Sequence, residues 1–110
     1  ILILGAAYKK DINDTRESPA IDIIQLLKNS GAEIDYHDPY VPKILINHIQ
    51  YKSIDLSKSK YLKNYDACVI VTDHSNIDYE IIYDNCQLIV DTRNVFGNKK
   101  GSHVKRLGEG

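Results

Sequence analysis

Lys9 and Arg93 each follow an apolar run of strand length, Ile1 to Leu4 with Gly5 in the first case and Gln87 to Val90 in the second. In an open parallel sheet, ligands bind beyond the carboxyl ends of the strands, so both side chains would stand on one edge. A lysine beside an arginine at such an edge can grip phosphate, one as a point charge and the other as a planar, two-pronged donor. The same reasoning collects Tyr8 and Lys10 after the first strand, His37 and Asp38 after the second, and Asp73 and His74 after the third. Asp91, Thr92 and Asn94 surround Arg93 after the fourth. Any one of these could be the polar residue that a wet loop carries anyway. Their convergence on one edge is harder to dismiss.

Other chemistries fit the residues less well. A dinucleotide turn needs G-x-G-x-x-G directly after its strand, and Gly5-Ala6-Ala7-Tyr8-Lys9-Lys10 has only the first glycine, so NAD is not expected to bind here in the standard first-turn manner. Asp38, Asp73 and Asp91 could gather as oxygen ligands for Mg²⁺ in a receiver-like or phosphatase-like domain. Asp38 before Pro39 is equally a turn former, however, and Asp73 is equally a helix cap. His37, His48, His74 and His103 lack zinc-ligand spacing. The eight tyrosines show no alternation with basic residues of the kind that stacks bases.

The elements that would carry these residues alternate strand and helix. Ile1 to Leu4 reads as a strand buried on both faces. Ser18 offers an N-cap and Pro19 a first-turn proline to a helix whose apolar stripe is Ala20, Ile23, Ile24 and Leu27, closed by Gly31. Glu33 to His37 reads as a second strand, ended by Asp38-Pro39. Between 40 and 64 the expectation is a short helix over Lys43 to His48, a short strand over Tyr51 to Ile54, and a helix over Ser57 to Asn64. Ala67 to Val71 is the strongest strand signal, followed by a helix over Asn76 to Tyr83 and a strand over Gln87 to Val90. This order predicts an α/β fold, an open and mainly parallel sheet of about four core strands with right-handed crossovers. Residues 97–110 are expected to be an irregular tail, anchored only by Val95-Phe96.

A length of 110 residues suits a single domain. With 14 Lys+Arg against 15 Asp+Glu, the net charge of −1 gives no global reason to expect nucleic acid or a membrane surface as partner. No apolar run approaches the ~20 residues of a membrane helix, and the expectation is a cytoplasmic protein. Cys68 and Cys86 are expected as reduced core thiols. The chain contains no Met and opens on a core strand, which suggests a piece of something longer. A stand-alone nucleotide-binding module is the alternative.

Residues 5–19, Gly5-Ala6-Ala7-Tyr8-Lys9-Lys10-Asp11-Ile12-Asn13-Asp14-Thr15-Arg16-Glu17-Ser18-Pro19, are similar to the G-x-[AS]-[FY]-K-x-[DN]-x-x-D-x-R-x-S-[PS] signature of a known domain. That signature opens the C-terminal domain of the UDP-glucose/GDP-mannose dehydrogenase family. Three further segments resemble the same domain in order: Tyr36 to Pro42, Val71 to His74 and Val90 to Asn94. The resemblance implies a three-layer, Rossmann-like nucleotide-sugar (UDP)-binding domain over residues 1–96. The whole enzyme would oxidise C6 of a UDP-sugar to the carboxylate in two NAD⁺-dependent steps, as in polysaccharide biosynthesis. An N-terminal domain would bind NAD and a central helical segment would make the homodimer. Lys9, with Tyr8 beside it, and Arg93 match the family's contacts to the nucleotide sugar. Arg16 matches the arginine that reaches the NAD phosphates across the cleft. The catalytic thiol, the general base and the cofactor glycines would lie upstream, so that neither Cys68 nor Cys86 is catalytic and this segment alone is silent. Tyr8, His37 to Tyr40 and Thr72 to His74 lean toward the branch that oxidises UDP-N-acetyl-hexosamines.

Overall fold

The computed structural model describes residues 1–7, 9, 11, 13–15, 18–57, 59–97, 99 and 101–106, with 59 and 60 as backbone only. Among these residues, five strands pair in parallel: β1 (Leu2–Leu4), β2 (Asp35–His37), β5 (Cys68–Ile70), β6 (Ile89–Asp91) and β7 (Val104–Arg106). Their spatial order is β2-β1-β5-β6-β7. Counting only the sheet strands, that is the doubly wound order 2-1-3-4-5, whose ligand crevice opens where the order reverses. Here the reversal falls between β1 and β5.

The strands alternate their side chains between two helical layers. Ile3 of β1 packs with Ala20 and Ile24 of α1 (Pro19–Asn29), while Leu2 and Leu4 pack on the other face with Ile82 of α2 (Tyr79–Asn85). The α1 helix begins where the sequence indicates. Ser18 Oγ accepts the Ala20 N–H at 3.2 Å, Pro19 stands in the first turn, and Gly31 follows the helix at φ 96°. For α2 the cap is Asp78, accepting the Ile81 N–H at 3.3 Å; Asp73 lies five residues upstream and caps nothing.

Three expectations are corrected. Lys43 to His48 forms no helix. Lys43–Ile46 is β3, paired antiparallel with β4 (Ile49–Lys52) through a two-residue turn in which Asn47 and His48 have φ of 50° and 67°. Ile44 and Ile46 point into the core and Leu45 outward, a period of two that a six-residue window does not separate from a short helix. Residues Ser59–Asn64 make a 3₁₀ turn where an α-helix was expected. The tail is not irregular throughout, because Val104–Arg106 joins the sheet as β7 with Val104 opposite Ile89. A lone buried Val between polar neighbours carries too little periodicity to announce a strand, and Lys105 on this outer strand is the charge that edges favour.

Candidate functional site

The carboxyl ends of β1, β5 and β6 meet at one edge of the sheet, and each feeds a loop held by buried polar groups. Gly5 ends β1 at φ 91°, and a Cβ there would fall 2.5 Å from the Thr72 Cβ and 2.6 Å from its carbonyl oxygen. Only glycine lets the first loop turn that close to β5. The loop is then tied down. The carboxylate of Asp38, 1% exposed, accepts the Ala6 and Ala7 N–H groups on Oδ2 at 2.7 and 3.0 Å and the Tyr40 N–H on Oδ1 at 2.8 Å. The Ala7 carbonyl accepts the Thr72 hydroxyl at 2.7 Å. Past the exposed Lys9, the Asp11 N–H donates to His74 Nδ1 at 2.7 Å. The Asp11 carboxylate in turn accepts the Ser75 N–H and hydroxyl, both at 2.7 Å.

The loop after β6 is built the same way. Asp91, also 1% exposed, accepts the Arg93 and Val95 N–H groups on Oδ1, each at 3.1 Å, and the Phe96 N–H on Oδ2 at 3.2 Å. Thr92 Oγ1 donates to the Ile70 carbonyl at 2.6 Å, and Arg93 Nε to the Val71 carbonyl at 2.9 Å. The Arg93 side chain is thereby laid along the end of β5, with one of its five N–H donors engaged among the described residues. Lys9 and Arg93 thus leave strands that flank β5 on either side, two inter-strand steps apart, or roughly 10 Å at the sheet.

Four carboxylates influence this edge. The Tyr79 hydroxyl, which donates to the His74 carbonyl at 2.8 Å, is held well above its ordinary pKa by burial first and then by Asp73, Asp11, Asp91 and Asp38. Asp38 and Asp91 are occupied by backbone N–H groups, and Lys9 and Arg93 are exposed in the loops that follow β1 and β6. Among the described residues no group of three or more His, Cys, Asp or Glu could hold a metal ion. Of the carboxylates weighed for Mg²⁺, Asp38 and Asp91 are loop formers. Cys68 opens β5 at the opposite end from the site and is buried, as is Cys86; the hydrogen bond with Cys86 first, and burial second, push the Cys68 thiol up.

Tyr8, Lys10 and Arg16 lie outside the described residues. The contacts that join the loops, Asp38 to His74 and His74 to Asp11, were not expected as a unit. In the sequence Asp38 and His74 each follow a strand, while Asp11 lies in the long loop between β1 and α1. Two clefts elsewhere, one between α1 and the hairpin and one at the amino edge of the sheet, contain neither Lys9 nor Arg93.

Residues 2–98 match the model of the UDP-glucose/GDP-mannose dehydrogenase family, UDP binding domain. The chain belongs to this family. It is 32% identical to a UDP-N-acetyl-D-mannosamine dehydrogenase of Methanococcus aeolicus, over 98% of this chain and 26% of that protein. It is 34% identical to a UDP-glucose 6-dehydrogenase of Bacillus subtilis, over 87% of this chain and 22% of that protein. Among solved structures, the UDP-D-ManNAc dehydrogenase of Pyrococcus horikoshii superposes with a TM-score of 0.72 at 31% identity, covering 97% of this chain and 25% of the other. The chain therefore spans about a quarter of the length of these relatives. The UDP-binding domain has the expected α/β, Rossmann-like architecture, with five parallel strands where about four were expected.

Proposed function

We propose that this UDP-binding domain grips the diphosphate of a UDP-sugar for an NAD-dependent 6-dehydrogenase, with Lys9 and Arg93 as the phosphate contacts and Tyr8 beside Lys9. The observation that carries the reading is the placement of Lys9 and Arg93 on two clamped loops around the β1/β5 switch point. Hydride transfer needs the sugar carbon held against the nicotinamide. The non-reacting UDP supplies binding energy for that positioning.

On this reading oxidation of C6 to the carboxylate belongs to the full-length protein, a cytoplasmic homodimer in which other segments bind NAD and carry the thiol. The first loop lacks the dinucleotide glycines, so the described residues offer NAD no first-turn site; Arg16 alone is assigned to reach its phosphates. Names among the relatives divide between UDP-N-acetyl-D-mannosamine and UDP-glucose dehydrogenases at similar identity, and the motif lean favours the N-acetyl-hexosamine branch.

The test is UDP binding by calorimetry on the full-length protein, with NADH formation followed on a panel of UDP-sugars. Lys9→Ala and Arg93→Ala are each expected to weaken UDP binding by about 1–3 kcal/mol, the scale of a charge-assisted hydrogen bond. Arg16→Ala should instead raise the NAD⁺ requirement. Unchanged UDP affinity in both Lys9→Ala and Arg93→Ala would refute the assignment.

A further inference from the structure

Lys9 stands on a loop pinned on both sides, and one buried pair provides both pins. On the near side Asp38 Oδ2 takes the Ala6 and Ala7 N–H groups; on the far side His74 Nδ1 takes the Asp11 N–H; and His74 Nε2 lies 2.7 Å from that same Asp38 Oδ2. We propose that the Asp38–His74 pair is a positioning device for the phosphate-gripping lysine, fixing the chain at Ala6 and Ala7 before Lys9 and at Asp11 after it so that Lys9 meets the diphosphate. The proposal rests on the reading of Lys9 given above.

The hydrogen-bond directions determine how the device works. A backbone amide can only donate, so His74 Nδ1 presents its lone pair to Asp11 and the ring proton sits on Nε2, donated to Asp38. His74 is a neutral ring with both nitrogens engaged. The Asp38 carboxylate then receives four donors, from Ala6, Ala7, Tyr40 and His74. His74 is 0% exposed and the Tyr40 ring packs 4.8 Å from it, and its contact with Asp38 is buried while that with Asp11 is part-buried. An apolar side chain at position 74 would fill the space but take the acceptor from the part-buried Asp11 N–H and leave one lone pair of the buried Asp38 unsatisfied. The pair joins the ends of β1, β2 and β5, the strands around the switch point.

Amide side chains separate the two contacts. Asn at 74 places an oxygen near Nδ1 and can accept from Asp11; Gln places a nitrogen near Nε2, keeping Asp38 and losing Asp11. UDP dissociation constants of the full-length protein are measured for His74→Gln and His74→Asn, each with Lys9 and with Lys9→Ala. With Lys9 present, His74→Gln is expected to weaken UDP binding about 5-fold or more, and His74→Asn less. In the Lys9→Ala background His74→Gln should change it by less than about 2-fold, the non-additivity of residues acting through one another.

Equal losses in both backgrounds, or no loss with Lys9 present, overturn the proposal. A Lys9→Ala variant with unchanged affinity instead overturns the reading of Lys9 itself. Ser75→Ala provides a second route on an exposed residue if His74→Gln does not fold. It removes one bond to the Asp11 carboxylate and is expected to weaken UDP binding about 2-fold, again only with Lys9 present. A loss independent of Lys9 would count against the proposal.

Discussion

Asp91 accepts N–H groups from three of the five residues that follow it, and Asp38 accepts three backbone N–H groups and an imidazole proton, so the buried acids here shape loops. Asp38 also acts on Tyr36, whose hydroxyl donates to the Val41 carbonyl at 2.8 Å. Burial first, and the Asp38 charge second, push the Tyr36 pKa from 10.0 to about 12. Because the folded protein holds this proton more tightly than the unfolded chain, the contribution is fully present below pH 10 and is lost as pH rises to about 12. Denaturation midpoints followed across that window should fall, and Tyr36→Phe should flatten the fall while lowering the plateau. An equal slope in the variant would rule Tyr36 out as a source.

At the scale of elements, the β3–β4 hairpin shows how local signals mislead. Its two-residue turn needs positive φ at both central positions, a type I′ geometry usually marked by Asn-Gly, and here it is made by Asn47-His48. With His in the second place the turn signal is absent, and the apolar residues Ile44, Leu45 and Ile46 read equally as helix. Holding a β-carbon in the left-handed region costs about 1 kcal/mol. His48→Gly is therefore expected to stabilise the protein by roughly that amount in urea titration, and a destabilised variant would show that the His48 side chain contributes more than its backbone costs. The α1 helix is the opposite case. Ser18, Pro19, the apolar stripe and Gly31 all lie within one stretch of chain, and the helix forms where they indicate.

For the whole molecule the decisive strand is β7. It covers the outer edge of β6, and Val104 enters the cluster that holds Ile89, Phe96 and Ile82. A chain ending at Gly101 would uncover that edge and leave a row of unpaired backbone groups. Such a truncation is expected to lower stability by about 2 kcal/mol or more, from Val104 burial together with lost ladder bonds, and to promote self-association. A monomeric truncated protein with an unchanged denaturation midpoint would show that β7 is dispensable. The placement of the site is also a whole-molecule property. Lys9 and Arg93 are 84 positions apart in the chain and share an edge because β1 and β6 both run parallel to β5.

The sequence by itself determined the family, through four motifs in order, together with the α/β class, the α1 helix and the residues that follow each strand. These signals are local: a cap, a period or a strand end is written in neighbouring residues. Only the tertiary structure decided the strand order, the edge strand β7 and the pinning of the first loop. Asp38 and His74 are 36 residues apart and Asp11 and His74 are 63 apart, so no local pattern records their contacts. They exist because the sheet sets β1 between β2 and β5, and because polar groups brought into that dry junction must satisfy one another.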